Sequence, residues 1–128
     1  MVGVDIVDIT RIANAKNKEA LIEKILTENE KEYLKTKSKK VNNMFSEYDC
    51  SLAGFWAAKE AVLKALEVGI VTNLKHIEIL HKENGAPFVK LNESFVKKYN
   101  VNNNYTLSIS ISHDGGVAIC VCLGTQNP

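Results

Sequence analysis

The spacing of hydrophobic residues changes several times along the chain, and each spacing predicts a different element. Residues 2–6 alternate apolar and polar side chains, which predicts a half-buried strand whose Asp5 points away from the apolar face. Asp8 follows this strand and is expected to cap a short helix. Residues 18–35 place apolar side chains at helical spacing and predict two short amphipathic helices.

The start of the second of these helices and the extent of the next one are also marked in the sequence. Thr27 and Glu30 form a Thr-x-x-Glu capping box, which is typical of a helix start. Residues 48–68 then combine large apolar residues with five alanines and no proline, which is the strongest helix signal of the chain. Gly69 is expected to supply the C-cap of this long helix.

The second half of the chain is dominated by strand patterns. Residues 77–91 predict a hairpin around the turn Asn84-Gly85-Ala86-Pro87, and residues 92–99 predict a further helix. Residues 107–123 predict a second hairpin with its turn at 114–116. The predicted fold class is therefore α+β, with one long helix packed on a small, mainly antiparallel sheet.

The last predicted strand has no polar face, and a single helix can cover only one of its two faces. One face is apolar, and the other has the small residues Ala118, Cys120 and Cys122. Strands that are apolar on both faces are usually covered on both. We expect the long helix to cover one face and a partner subunit to cover the small-residue face.

Composition limits the class of protein. The 128 residues are predicted to form one domain, 1–128, and a content of 45% hydrophobic and 24% charged residues is that of an ordinary globular protein. No apolar run approaches the ~18 residues of a membrane span and no secretory signal is visible, so a cytoplasmic location with no membrane partner is expected. The three cysteines are expected to be reduced thiols, and a net charge of +1 argues against a nucleic-acid partner.

Three charged residues are candidates for chemistry. Glu60 and Lys64 lie four residues apart in the long helix, beside the aromatic Trp56. On its own this spacing describes equally well a surface pair that contributes little to stability. Asp5 is a second carboxylate on a different element, and two such oxygen donors suit Mg²⁺, which completes its octahedron with waters and substrate phosphates.

A second candidate region lies near the end of the chain. Ser112 and His113 precede Asp114 and two glycines, where unpaired N–H groups and an imidazole can receive phosphate. A serine, a histidine and an aspartate in consecutive positions cannot adopt the geometry of a hydrolase triad. His81 has no ligand-like spacing and is assigned to a strand and its turn.

Five segments together resemble the holo-[acyl-carrier-protein] synthases, the short bacterial class of the 4'-phosphopantetheinyl transferase superfamily. In chain order they are Gly3-Val4-Asp5-Ile6-Val7 with Arg11-Ile12, Ile25-Leu26-Thr27 with Glu30, Trp56-Ala57-Ala58-Lys59-Glu60-Ala61 with Lys64-Ala65, Asn84-Gly85-Ala86-Pro87, and Ser110-Ile111-Ser112-His113. The resemblance implies transfer of the 4'-phosphopantetheine arm of coenzyme A to a serine of apo-acyl carrier protein, with release of adenosine 3',5'-bisphosphate. It also implies a homotrimer with active sites between neighbouring subunits.

The resemblance further implies roles for individual residues. Asp5 and Glu60 would hold Mg²⁺ on the pyrophosphate, and Arg11 would dock the carrier protein. The phosphates and nucleotide of coenzyme A would contact the remaining site residues, which are Lys59, Lys64, Gly85, Pro87, Ser112 and His113. The attacking serine needs a proton acceptor, either a Mg²⁺-activated water or Glu60 through a water, and the sequence leaves both open.

The sequence departs from the family pattern at one position of the helix motif. Many relatives have an arginine directly before the aromatic residue, whereas this chain has Phe55 before Trp56. A phosphate contact made by that arginine is therefore absent here or supplied elsewhere. The alternative function is a non-catalytic module of the same fold that binds coenzyme A or a nucleotide.

Overall fold

The computed structural model describes all 128 residues. The elements are, in chain order, β1 (Val2–Asp8), α1 (Ile9–Ala13), α2 (Lys18–Ile25), α3 (Glu28–Lys35), β2 (Val41–Asn42), β3 (Phe45–Ser46), α4 (Glu47–Leu66), a 3₁₀ turn (Leu74–His76), β4 (Ile77–His81), β5 (Pro87–Leu91), α5 (Glu93–Lys98), β6 (Tyr105–Asp114) and β7 (Val117–Gln126). None of the helices combines the length and the apolar character needed to cross a bilayer.

Side chains close the helix ends largely as the sequence predicts. The Asp8 carboxylate accepts a hydrogen bond from the Thr10 N–H at 2.9 Å and caps α1. Both hydrogen bonds of the Thr27–Glu30 capping box are present at the start of α3. The predicted end of α4 is wrong, because the helix stops at Leu66 and Glu67 adopts the left-handed conformation, with φ 55°, before Gly69 is reached.

The main sheet has three antiparallel strands in the order β1-β7-β6, and α4 crosses one of its faces. The approach of β1 to α4 is so close that a Cβ on Gly3 would lie 2.1 Å from the Ala61 carbonyl oxygen. Glycine is therefore required at this position. Asp5, two residues further along β1, lies on the same face of the sheet and so points toward α4.

The sheet has an inner face toward α4 and an outer face that the chain leaves uncovered. Cys120 and Cys122 on the inner face are fully buried, and burial raises the pKa of these thiols to about 12 and about 11. We call the exposed apolar side chains on the other side the outer face; they are Val2, Val4, Ile6, Ile119, Val121 and Leu123.

The prediction that small residues form the subunit interface is therefore wrong. Ala118, Cys120 and Cys122 are all fully buried within the single chain. Small side chains let α4 approach the sheet, and this close packing excludes a second layer on the same side. The face available to another molecule is the outer face.

Two smaller hairpins lie outside the main sheet. β4 and β5 pair antiparallel across the predicted turn, in which Gly85 has φ 88°, a conformation that favours glycine. The small hairpin of β2 and β3 was not predicted, since strands of two residues are too short to show a period. Its turn contains Asn43 with φ 64°.

Candidate active site

Asp5 and Glu60 lie in the wall of one pocket of about 290 Å³, although they belong to different elements. Asp5 comes from β1 and Glu60 from the middle of α4, and both are partly buried. Arg11 of α1 and Trp56, one helical turn before Glu60, complete the polar and aromatic part of this wall. We call this pocket the carboxylate cleft.

Lys64 lies one helical turn after Glu60 on α4 and adds a positive charge beside the two carboxylates. Its ammonium donates to Asp5 Oδ1 at 2.9 Å and to the Val4 carbonyl oxygen at 3.0 Å. The Lys64 side chain is 56% exposed, so the ion pair contributes little to stability and can open at small cost. Glu60 and Lys64 also line an adjoining, more open pocket of about 660 Å³.

The donor set of the carboxylate cleft fits one kind of metal ion. Asp5 and Glu60 provide hard oxygen donors, and the chain contains no group of three or more histidine, cysteine or acidic side chains able to enclose a metal. Zinc sites usually need three or four protein ligands. Mg²⁺ is commonly held by one or two carboxylates, with waters and substrate phosphates as its other ligands. The residues present therefore fit Mg²⁺.

A second polar pocket, of about 250 Å³, lies beside the β4–β5 hairpin. Three of the predicted coenzyme A residues line it: Gly85, Pro87 and His113. Lys37, from the segment after α3, also lines this pocket, and no carboxylate does. We call it the hairpin pocket.

Aromatic rings form one wall of the hairpin pocket. Tyr33 and His81 stack in parallel with ring centroids 3.8 Å apart, and Phe55 meets both rings edge-on. Burial, with a smaller contribution from the Lys37 charge, lowers the pKa of His81 below its usual range. His81 is therefore neutral near pH 7. Its position in the sequence predicts only a strand and its turn, and its spacing gives no sign that it lies in a pocket.

The carboxylate cleft and the hairpin pocket lie on opposite sides of α4. Gly54 and Phe55 line the hairpin pocket, whereas Trp56 and Glu60 line the carboxylate cleft. At about 100° per residue, the centres of these two sets are separated by roughly half a turn of the helix. One chain thus presents two separate polar pockets, and the helix lies between them.

Ser112 and His113 do not reach the same pocket. His113 is paired with Ala118 in the register of β6 and β7 and lies on the inner side, while Ser112 is paired with Ile119 of the outer face. Neighbouring residues of a strand point to opposite faces. Within one chain, Ser112 therefore does not line the hairpin pocket with His113.

The structure corrects the prediction that Lys59 contacts phosphate. Its side chain is fully buried, and its ammonium donates to the Glu30 carboxylate at 2.7 Å and to the Leu74 carbonyl oxygen at 3.1 Å. The Ile25 carbonyl oxygen accepts its third hydrogen bond. All three donors of the ammonium are thus used inside the protein. Lys59 is a core residue that anchors α4.

Comparison with known proteins identifies relatives over almost the whole chain. Residues 1–122 match the model of the 4'-phosphopantetheinyl transferase superfamily. The holo-[acyl-carrier-protein] synthase of Campylobacter fetus is 43% identical over 127 residues, which are 96% of this chain and 97% of that protein. That of Caldicellulosiruptor saccharolyticus is 38% identical over 126 residues, which are 98% of this chain and 95% of that protein.

Solved structures of the same class have the same fold. The Helicobacter pylori holo-[acyl-carrier-protein] synthase in complex with coenzyme A has a TM-score of 0.77 at 35% identity, covering 98% of this chain and 100% of that one. A Chronobacterium ammoniagenes complex with coenzyme A has a TM-score of 0.79 at 28% identity, covering 99% of this chain and 97% of that one. The predicted α+β fold is confirmed by these structures.

Proposed function

The chain belongs to the 4'-phosphopantetheinyl transferase superfamily, among the holo-[acyl-carrier-protein] synthases, and from this premise we propose how its residues perform the transfer. The reaction moves 4'-phosphopantetheine from coenzyme A to a serine of apo-acyl carrier protein and releases adenosine 3',5'-bisphosphate. A phosphorus–oxygen bond forms to the serine, and the bond between phosphorus and the bridging oxygen of the pyrophosphate breaks. Such transfers need positioning and charge neutralisation more than a protein nucleophile.

The observation that supports this mechanism best is the pair of carboxylates in one cleft. Asp5 and Glu60 are the residues that would hold Mg²⁺, which when bound neutralises negative charge on the pyrophosphate. The ammonium of Lys64 adds a second positive charge at the edge of the cleft. Since Lys64 is half-exposed, it can exchange Asp5 for a phosphate oxygen as substrate enters.

Glu60, acting through a water, is also the proposed acceptor of the proton of the attacking serine. It lines both the carboxylate cleft and the adjoining pocket beside Lys64, so a water in this space can contact its carboxylate and the incoming hydroxyl. General bases commonly act through one such water. This route keeps the proton near the carboxylates while the leaving group departs.

The adenosine end of coenzyme A is assigned to the hairpin pocket, where Gly85, Pro87 and His113 meet aromatic rings. The hairpin pocket and the carboxylate cleft share no residue and lie on opposite sides of α4. A coenzyme A that contacts both kinds of site is most simply bound between two subunits, with each subunit contributing one of them. This supports the homotrimer with active sites at subunit interfaces, in which Ser112 also faces the partner.

The outer face is the proposed contact between subunits. It places six exposed apolar side chains on adjacent strands, and an uncovered apolar patch of this kind marks an interaction site. Cyclic symmetry would close the assembly through equivalent heterologous contacts. The catalytic cytosolic form is therefore proposed to be this trimer rather than the single chain.

Val121→Asp should dissociate the trimer and abolish transfer together, because it places a charge at the centre of the outer face. Light scattering and a transfer assay on the same sample measure the two effects. Phe88→Asp is the matched control, since Phe88 and Val121 are both 37% exposed but Phe88 lies on β5. A wild-type protein that is a fully active monomer would contradict the shared site.

Arg11 is proposed to dock the acyl carrier protein, as it is exposed and lies at the mouth of the carboxylate cleft. Carrier proteins of this class resemble acidic helical bundles, so Arg11→Glu should lower kcat/KM for the carrier by about 10- to 100-fold at low salt. The KM for coenzyme A should change less than the kcat/KM for the carrier. Lys97→Glu on α5 is the control, because it makes a similar change of charge at a residue that does not line the carboxylate cleft. Normal carrier kinetics in Arg11→Glu would remove Arg11 from the docking surface.

The overall activity is tested by incubating the protein with apo-acyl carrier protein, coenzyme A and Mg²⁺. Mass spectrometry of the carrier should show the added phosphopantetheine, and a chelator should prevent the addition. The non-catalytic alternative instead gives coenzyme A binding with no change in the mass of the carrier.

A further inference from the structure

Lys64 does not form the ion pair that its position on α4 favours. Glu60 lies four residues before it, and a glutamate followed by a lysine at this spacing is the favourable orientation for a surface pair. The Lys64 ammonium instead donates to Asp5 Oδ1 and to the Val4 carbonyl oxygen of β1. Glu60 forms no ion pair. Of the two carboxylates in the cleft, one is therefore already paired with a cation and the other is free.

The place of β1 in the main sheet explains this choice of partner. β1 pairs only with β7, so it is an edge strand, and an edge strand presents unpaired carbonyl oxygens on its other side. The Val4 carbonyl oxygen is the backbone acceptor for Lys64, and the Asp5 carboxylate, on the next residue, is the charged one. The two acceptors together hold the ammonium on Asp5.

An ammonium in this position opposes the binding of a metal ion. It neutralises the charge of the carboxylate that the ion needs, and it repels a second cation that approaches the other carboxylate oxygen. The Asp5 side chain is only 18% exposed, so solvent screens this repulsion incompletely. In the free enzyme, a metal ion meets a cleft in which Lys64 already balances the charge of Asp5.

We propose that Lys64 keeps the affinity of the free enzyme for Mg²⁺ low and releases Asp5 when the phosphates of coenzyme A arrive. This inference rests on the proposed function. The pyrophosphate offers other acceptors to the ammonium, and its oxygens are also ligands that Mg²⁺ prefers. Coenzyme A and Mg²⁺ therefore favour each other's binding, and by linkage each raises the affinity for the other by the same factor.

Metal binding without coenzyme A separates this role from a simple phosphate contact. A lysine that only neutralises phosphate has no influence on the metal affinity before the substrate is present. A lysine that occupies Asp5 lowers that affinity, so removal of its charge should raise it. The same substitution should slow the transfer, because the contact to the reacting phosphates is lost. The two effects of one variant thus have opposite directions.

Mn²⁺ is the probe, because it prefers the same oxygen ligands as Mg²⁺ and its free-ion signal in electron paramagnetic resonance disappears on binding. Titrations with and without coenzyme A give two Kd values for each variant, and without carrier protein no transfer occurs. Lys64→Met should lower the Kd of Mn²⁺ in the absence of coenzyme A by about tenfold, within the range of roughly 5- to 150-fold that is typical of coupled sites. The ratio of the two Kd values should be smaller than in the wild type.

Three further variants define the outcome. Lys64→Arg keeps the charge and should keep the weak Mn²⁺ binding of the free wild-type enzyme. Lys35→Met removes a lysine from an ion pair of 3.0 Å with Glu32, away from the cleft, and should also leave the Kd of Mn²⁺ unchanged. In the double variant Asp5→Asn with Lys64→Met the gain in affinity should disappear, because the carboxylate that Lys64 occupied is absent.

An unchanged or higher Kd of Mn²⁺ in Lys64→Met without coenzyme A would overturn the proposal, and so would a gain that persists in the double variant. If that gain requires Asp5 but the wild type transfers nothing to the carrier, the inference stands and the proposed function fails. If the wild type transfers phosphopantetheine and Lys64→Met shows no gain, the proposed function stands and the inference fails.

Discussion

Glu60→Gln and Asp5→Asn should each reduce phosphopantetheine transfer by about 10²- to 10³-fold, the usual effect of removing one electrostatic contact to a transition state. Both changes keep the shape of the side chain and remove its negative charge. Both residues are at least partly exposed to the carboxylate cleft, so the fold should tolerate the loss. Initial rates at several Mg²⁺ concentrations and the unfolding temperature measure the two effects.

The Mg²⁺ dependence separates a ligand from a residue that merely lines the cleft. If Asp5 and Glu60 hold the ion, the Mg²⁺ concentration for half-maximal rate should rise in both variants, and high Mg²⁺ should restore part of the activity. Glu67→Gln is a matched control, because Glu67 lies beyond the end of α4 and lines the adjoining pocket without lining the cleft. Near-normal turnover of Asp5→Asn and Glu60→Gln at limiting Mg²⁺ would contradict the metal assignment.

Local patterns predicted most elements, because the interactions that start and stop them are local. Each of these signals depends on residues close together in the chain. Examples are the alternation of β1, the capping box at Thr27 and the alanine-rich stretch of α4. The candidate site depends on more distant pairings. Asp5 and Glu60 share a cleft only because Gly3 lets β1 lie directly against α4.

The errors have a common physical origin in the packing of one element on another. Alternation in β7 shows that the strand has two faces, but it does not show which face α4 covers. The close approach at Gly3 selects the small side chains of Cys120 and Cys122 for the inside. The larger Ile119 and Val121 are consequently left outside, so the expected interface was assigned to the wrong face.

The role of Lys59 was missed although the sequence contains a signal for it. Phe55, Val62 and Leu63 lie four residues before, three after and four after Lys59, so Lys59 shares their apolar side of α4. All three are buried. A lysine in this position must have a buried partner, because an isolated charge is costly to bury. Glu30 is that partner, and it was assigned only to the capping box.

Lys59→Met and Glu30→Gln should each lower the free energy of unfolding by about 3–5 kcal/mol, since each leaves the other charge buried without its partner. The pair joins three elements. Glu30 accepts hydrogen bonds from the Thr27 and Ile79 N–H groups at 2.8 Å each, and Lys59 binds it from α4. Burial lowers the pKa of Lys59, and the Glu30 charge opposes this shift. Urea unfolding at one fixed protein concentration measures the loss.

The double variant Lys59→Met with Glu30→Gln tests whether the two residues act as a pair. The double variant contains no unpaired buried charge. Its loss of unfolding free energy should therefore be smaller than the sum of the losses in the two single variants by about 1–3 kcal/mol. Lys35→Met is the control for an exposed pair, because Lys35 and Glu32 are both about 70% exposed. This substitution should lower the free energy of unfolding by less than ~1 kcal/mol. If Lys59 contacted phosphate instead, Lys59→Met would keep its stability and raise the KM for coenzyme A. That result would return Lys59 to the substrate site, whereas a large, non-additive loss of stability would assign it to the core.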